Sequence, residues 1–311
     1  MTTAAITDIA NHNKNKAALT SVLAAVGLTT FKLIIGFATG SLGILAEAAH
    51  SALDLVAALV TLFAVRLSSK APDTEHQFGH GKIENLSALF ETFLLLVTCV
   101  WIIYEAVQRL FFKNVTVDIS IWAFVVMGAS IITDINRSRI LYKAARAYNS
   151  QALEADALHF HTDIWSSSVV ILGLALAWTG DMLEKSFPAW KSLDKADSIA
   201  ALGVAVIVIY VSVQLGIRTI EALLDSAPKG MNEKLESVIY SVPGIENVHS
   251  LRIRRSGPNL FIDVHVEVDG QMPLVKAHAL TEIIENEVDR VAPEADITIH
   301  VEPLPVQDQE C

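Results

Sequence analysis

The sequence predicts an α-helical membrane domain of six transmembrane helices, followed by a small cytoplasmic α/β domain of αββαβ order, ferredoxin-like or metallochaperone-like in topology. Three observations predict it. Apolar residues make up 52% of the 311, and the mean hydropathy of +0.44 is too high for an ordinary soluble domain. Six stretches, near 17–37, 43–67, 84–111, 117–136, 152–178 and 197–222, are long and apolar enough to cross about 30 Å of hydrocarbon as helices. From residue 226 the pattern changes to amphipathic helices and alternating strands.

In order, residues 1–13 form a polar N-terminal tail with no signal-peptide core, so the first span serves as the insertion signal. Residues 14–225 make the membrane domain, with short links such as TGSL after the first span and FKNVTV after the third. Lys and Arg in the links set orientation. One side collects Lys14, Lys16, Arg66, Lys70, Lys82, Arg137, Arg139, Lys143, Arg146, Arg218 and Lys229; the other collects Arg109, Lys113, Lys185, Lys191 and Lys195. The richer side holds both termini, which places them in the cytoplasm. Lys32, near the outer end of the first span, is expected to snorkel to the interface.

Residues 226–311 form the second domain. MNEKLESVIYSV reads as a helix ended by Pro243-Gly244, VHSLRIRRSGPNLFIDVHVEVD as two strands about a turn, LVKAHALTEIIENEVDRVA as a second helix and ADITIHVEP as a third strand. Alternation turns Ile262, Val264, Val266 and Val268 to one face and Asp263, His265 and Glu267 to the other. His300 and Glu302 share that second face on the last strand.

The net charge of −11 argues against nucleic acid as a partner. From residue 227 onward there are seven Lys/Arg against fifteen Asp/Glu, an acidic tail that concentrates cations. The two cysteines, Cys99 and Cys311, form no CxxC pair, so neither a disulfide framework nor a thiolate cluster is expected.

Four ionisable residues enter the spans in a pattern. His50 and Asp54 lie four apart in the second, and His159 and Asp163 repeat the spacing in the fifth. Residues four apart share a helix face, about 6 Å along the axis. Antiparallel helices would set His50 level with Asp163 and Asp54 level with His159. Each ionisable group at bilayer depth costs about 2.5–3.5 kcal/mol on insertion scales, so four need a reason. Two imidazoles and two carboxylates make a tetrahedral shell for a divalent ion of zinc type. Glu47 and Asp156, three residues before each pair, could guide ions or relay protons; helix-end acids at interfacial water serve equally. His161 points about 160° away and reads as a packing or pore-edge residue. Asp134 reads as a helix-end acid and Glu91 as a possible path-lining one.

Two further clusters follow. Asp73, His76 and His80 in the second-to-third link make a metal-site candidate, on one helical face or, with Gly79 and Gly81, in a bent loop. The α/β domain holds His249, His265, His278 and His300 with Glu302, a candidate regulatory metal cluster.

The segments GSLGILAEAAHSALD, DTEHQFGHGKIENL, EADALHFHTD, PGIENVHSLRIRRSGP and FIDVHVEV together resemble the cation diffusion facilitator family over nearly the whole chain. The resemblance implies a homodimer in the inner membrane that exports Zn²⁺, or a related ion such as Fe²⁺, Co²⁺ or Cd²⁺, against inward proton flow by alternating access. It puts the transport ligands on His50, Asp54, His159 and Asp163, and a loop site on Asp73, His76 and His80. A binuclear regulatory cluster falls on His249, His265, His278 and His300, with Glu302 where the bacterial pattern has aspartate. A charge interlock at the dimer's base falls on Lys82 and Asp225. Having His in both pairs resembles the zinc-selective branch.

Two other classes compete. A membrane-tethered metal sensor would use the acidic tail alone and needs no ligands at bilayer depth. An intramembrane zinc protease would carry glutamate after its first histidine, and neither His50 nor His159 is followed by one.

Overall fold

A computed structural model describes residues 3–111, 121–183, 196–293 and 295–304. The FKNVTV link, the expected start of the fourth span at 117, and Lys113, Lys185, Lys191, Lys195 and Cys311 lie outside the described residues. Six long helices come first: α1 (Thr3–Thr39), α2 (Leu42–Ser68), α3 (Lys82–Phe111), α4 (Ile121–Tyr148), α5 (Gln151–Leu183) and α6 (Ala196–Leu223). The α/β domain follows as α7 (Met231–Tyr240), β1 (Asn247–Ser256), β2 (Asn259–Val268), α8 (Leu274–Val291) and β3 (Asp296–Pro303).

Among the described residues, stretches of α1, α2, α3 and α6 are long and apolar enough by themselves to cross a membrane. In α4 and α5 the apolar pattern is broken by charges that the bundle takes inside. The polarity of the helices is inverted relative to a soluble protein. Large apolar side chains such as Leu53, Phe63, Phe93 and Trp101 face outward, while Lys14, Lys32, Asp54, Glu84, Glu91, Arg137 and Asp156 are buried. That is the arrangement expected where the solvent is hydrocarbon. Small residues allow it: Ala17, Ala18, Ala58, Ala144, Ala145, Ala152 and Ala157 bring α1, α2, α4 and α5 together around Phe160.

Two helices and one side chain differ from expectation. The first begins at Thr3, so helix runs through most of the stretch read as a tail. The fourth continues to Tyr148, twelve residues past its expected end. Arg137, Arg139, Lys143 and Arg146 therefore lie on a helix rather than in a link, and the chain turns into α5 through Asn149, at φ 50°, and Ser150. The amphipathic continuation is carried by Leu141, Ala144 and Ala145, which stay buried. Lys32 does not snorkel: it is 2% exposed and its Nζ donates to Ser51 Oγ at 2.7 Å and Glu47 at 3.3 Å. A serine and a glutamate one turn apart on α2 give the ammonium a nearer partner than the interface.

The sheet order is β1-β2-β3, antiparallel between β1 and β2 and parallel between β2 and β3. Ile262, Val264, Val266 and Val268 of β2 pack on Leu235 and Ile239 of α7 and on Ile284 and Val288 of α8. Both helices thus cover one face and leave the other open. In β1 the register slips between His249 and Arg252, with Ser250 at φ 54°. The bulge has a clear use. Val248 and Ile253 are both buried although five residues apart, which strict alternation forbids and one extra residue allows.

The domain docks on the α2–α3 loop. A Cβ on Gly81 would stand 2.1 Å from Ser256 O, and one on Gly257 would stand 2.4 Å from Gly81 O, so both positions require glycine. Gly257 N donates to buried Asn85 Oδ1 at 2.9 Å. Phe78 meets Phe261 edge-on at 5.4 Å, and the Arg254 guanidinium lies 3.9 Å over the Phe78 ring.

Candidate metal centre

Helix α2 presents His50 and Asp54 one turn apart, and α5 presents His159 and Asp163 likewise. The helices run in opposite senses, so the pairs meet crosswise. His159 Nε2 lies 3.1 Å from Asp54 Oδ1, and His50 Nε2 lies 3.8 Å from Asp163 Oδ1. Within the helices, His50 Nε2 is 3.9 Å from Asp54 Oδ1 and His159 Nε2 is 3.6 Å from Asp163 Oδ2. Ligands about 2.0–2.1 Å from a tetrahedral zinc lie roughly 3.4 Å from each other. The four observed separations, 3.1–3.9 Å, bracket that value, with Asp163 turning Oδ1 to His50 and Oδ2 to His159; His50, Asp54 and Asp163 are the set whose ligand atoms all lie within 4.8 Å of one another. Asp54, Asp163 and His159 have side chains 11%, 13% and 7% exposed, whereas His50 is 43% exposed and forms the open edge.

Around this shell the bundle is polar in an ordered way. Asp156, one turn before His159, is 1% exposed and accepts from Ser21 of α1 at 3.3 Å. Arg137 reaches the same Ser21 through Nε and Nη2, pairs with Asp134 at 3.4 Å and stacks 3.5 Å over Phe160. Counting Arg137 among link charges missed this. A guanidinium buried beside two acids is foreshadowed only by its spacing from Asp134. His161, read as a packing residue, is exposed on the outside of α5. Glu84 is fully buried and gathers Lys14 at 3.0 Å, Ser68 at 2.9 Å and Ser150.

The loop candidate forms without helix. Asp73 Oδ1 accepts from Glu75 N at 3.0 Å and from His76 N at 2.6 Å, an Asx turn that bends the chain back. His76 Nδ1 and His80 Nε2 each come to 3.4 Å from an Asp73 oxygen, and their rings are 4.5 Å apart. The His76 and Glu75 amides, aided by the two imidazoles, hold the Asp73 carboxyl below the usual aspartate range.

On the open sheet face, register aligns three imidazoles across three strands: His249 opposite His265, and His265 opposite His300. Ring separations are 5.2 and 4.8 Å. Glu302 joins them, at 2.8 Å from His265 Nδ1, 3.2 Å from His249 Nε2 and 3.4 Å from His300 Nε2. The hydrogen bond from His265, followed by the charges of His265 and His249, holds Glu302 below the usual glutamate range. Glu267 also approaches His249, at 3.6 Å, and was not named as a ligand candidate; its place two residues from His265 on the same face was the signal. His278 is not brought to this cluster within one chain. It stands exposed on α8, touching Thr281, and α8 covers the opposite side of the sheet. Alternation makes the two positions incompatible: the face that carries His265 is not the face that packs on α8.

Lys82 Nζ meets Asp225 at 2.9 Å within the chain, tying the start of α3 to the end of α6.

Two His-xxx-Asp pairs meet inside a helical bundle that is joined to an αββαβ domain. The model of the cation efflux transmembrane domain matches residues 18–224, and that of the cation efflux protein cytoplasmic domain matches residues 227–304. The chain is 32% identical to a cation-efflux pump FieF from Pectobacterium atrosepticum over 291 residues, covering 93% of this chain and 92% of that one. It is 32% identical to a cation-efflux pump FieF from Salmonella arizonae over 297 residues, covering 95% of each. A solved cytosolic domain of a cation diffusion facilitator family protein is 41% identical over 24% of this chain and 89% of that one, with a TM-score of 0.23. The metal-bound C-terminal domain of a CzcD transporter from Thermotoga maritima is 38% identical over 25% of this chain and 96% of that one, again with a TM-score of 0.23. The chain belongs to the cation diffusion facilitator family. It is a multi-pass cation-efflux transporter of divalent metals and not an enzyme.

Proposed function

We propose that this chain exports Zn²⁺ across the inner membrane in exchange for protons, as a homodimer with both termini in the cytoplasm. The observation that carries the reading is the crosswise meeting of two His-xxx-Asp pairs from antiparallel helices, with N···O separations of 3.1–3.9 Å. Two imidazoles with two carboxylates suit zinc better than manganese or magnesium, which prefer all-oxygen shells. Zinc takes neutral imidazole and ionised carboxylate, so a bound ion displaces the protons these groups carry. Reprotonation from the far side then helps release it. Alternating access needs only that the two occupants favour different arrangements of α2 and α5.

The loop triad and the sheet cluster act as regulatory sites for the same ion in this reading. Asp73, His76 and His80 lie at the joint between the two domains, and His249, His265, His300 and Glu302 lie on the free sheet face. The acidic domain supports a cytoplasmic place for it, where it concentrates cations at the mouth of the path.

Reconstitution into proteoliposomes tests the proposal. Zn²⁺ uptake driven by a pH gradient should fall to the protein-free rate in Asp54→Ala and in Asp163→Ala. Undiminished flux in both variants rules out the four-ligand assignment. Wild-type protein that binds zinc but never moves it would instead favour the tethered sensor, for which the sheet cluster alone suffices.

A further inference from the structure

Several buried acids stand outside the exchange chemistry above, and Glu91 is one of them. Glu91 of α3 is 0% exposed and sits nine residues from the helix start, about 13 Å into the bundle. Thr61 of α2, equally buried, hydrogen-bonds Oε1. Oε2 is enclosed and has no hydrogen-bond partner among the described residues. Across the α3–α5 seam, closed by Ala88 against Ala155, stands Asp156, whose Oδ1 is likewise enclosed and unpartnered.

The surroundings distinguish the two acids. Asp156 accepts from Ser21, and Ser21 accepts from Arg137, so a guanidinium stands one hydroxyl away. Among the described residues, charged groups on the elements that pack against α3 are exposed, as Arg66 of α2 and Glu221 of α6 are, or held elsewhere. On α6, Leu215 and Gly216 face Ala88 and Thr92, and Arg218 is held by Glu154 at 2.6 Å. On α2, Asp54 is held by His159 at 3.1 Å. On α3 itself Glu84 is paired with Lys14 at 3.0 Å. An ionised Glu91 here would be a carboxylate in a dry interior with a hydroxyl but no cation bonded to it among the described residues, which is heavily disfavoured. A neutral acid is tolerated, with one oxygen on Thr61 and the proton on its unpartnered second oxygen.

We propose that Glu91 is a proton-carrying site of this transporter, separate from the metal ligands. It is loaded in the arrangement seen here and emptied when α3 parts from α2 and α5 and water reaches its second oxygen. On emptying, the carboxyl O–H bond breaks, the proton passes to water and the carboxylate remains; reloading reverses the step. The proposal rests on the metal/proton exchange reading.

The test counts protons moved per Zn²⁺ in proteoliposomes of full-length protein, with a pH dye and a zinc dye read together. Glu91→Gln should lower the ratio by about one proton while zinc affinity of the purified protein stays within about threefold. Glu91→Asp should restore the ratio. A wild-type ratio in Glu91→Gln overturns the proposal and leaves the exchange reading intact. Failure of Glu91→Gln to fold also overturns it, because a neutral isostere must be accepted where the acid is already neutral. Zinc flux with no coupled protons in wild-type protein overturns the exchange reading, and this proposal with it.

Discussion

Glu302 shows how one side chain ties three strands together. It hydrogen-bonds His265 at 2.8 Å and His249 at 3.2 Å and sits 3.4 Å from His300, and these contacts hold its carboxyl below the ordinary range. A depressed carboxylate stabilises the fold above its unfolded value and loses that contribution as pH falls through the folded one. Thermal melts of metal-free wild type and Glu302→Gln should therefore differ above the ordinary glutamate range and converge as acid titrates Glu302. The gap is modest because the group is exposed to solvent. Equal melting at every pH would mean that the contact contributes nothing. At this scale the sequence was readable wherever two residues share one element: i,i+4 spacing placed each His-xxx-Asp pair, and alternation placed His265 and Glu267. Apart from the crosswise approach of the two His-xxx-Asp pairs, contacts that depend on a second element were not readable. Lys32 turning to Ser51 and Arg137 reaching Ser21 both require knowing that α1 lies beside α2 and α4.

Among the elements, β1 carries the most informative irregularity. The bulge at Ser250 lets Val248 and Ile253 both enter the core while His249 stays opposite His265. A side chain at φ 54° is tolerated in serine and strained in a β-branched residue. Ser250→Val should destabilise the domain by about 1–2 kcal/mol and weaken metal binding at the sheet, as read by denaturant titration and zinc competition. Unchanged stability would mean that the bulge relaxes freely. Alternation predicted the three strands and amphipathic periodicity both helices of this domain, but neither showed the bulge, because a one-residue slip leaves the run of apolar and polar residues looking regular on each side. Conversely, α4 runs past its expected end because the charges that interrupt its apolar run do not break the helix. Arg and Lys are good helix formers, and Leu141, Ala144 and Ala145 supply a buried stripe that carries the helix on.

For the molecule as a whole, the joint between its domains is the arrangement least visible in the sequence. Gly81 and Gly257 approach so closely that neither admits a Cβ without displacing backbone. Beside them the Asp73, His76 and His80 loop, the Phe78–Phe261–Arg254 stack and the Lys82–Asp225 ion pair occupy one junction. Gly81→Ala should therefore push the α/β domain off its seat, at a cost of about 1–3 kcal/mol, with faster hydrogen exchange at the β1–β2 turn. Wild-type exchange there would show that the junction has slack. The family motifs made both domains and their ligand residues legible, because each motif is local. Their meeting across the chain is tertiary, and so is the exclusion of His278 from the cluster by α8.

The central claim is that two antiparallel helices, α2 and α5, share one divalent ion among His50, Asp54, His159 and Asp163. Anomalous diffraction at the zinc edge from zinc-loaded crystals tests it most directly. A peak is expected among these four side chains, about 2.0–2.1 Å from each imidazole nitrogen and carboxylate oxygen, lost in Asp163→Ala. Zinc peaks at the loop and sheet sites with none between α2 and α5 would contradict it.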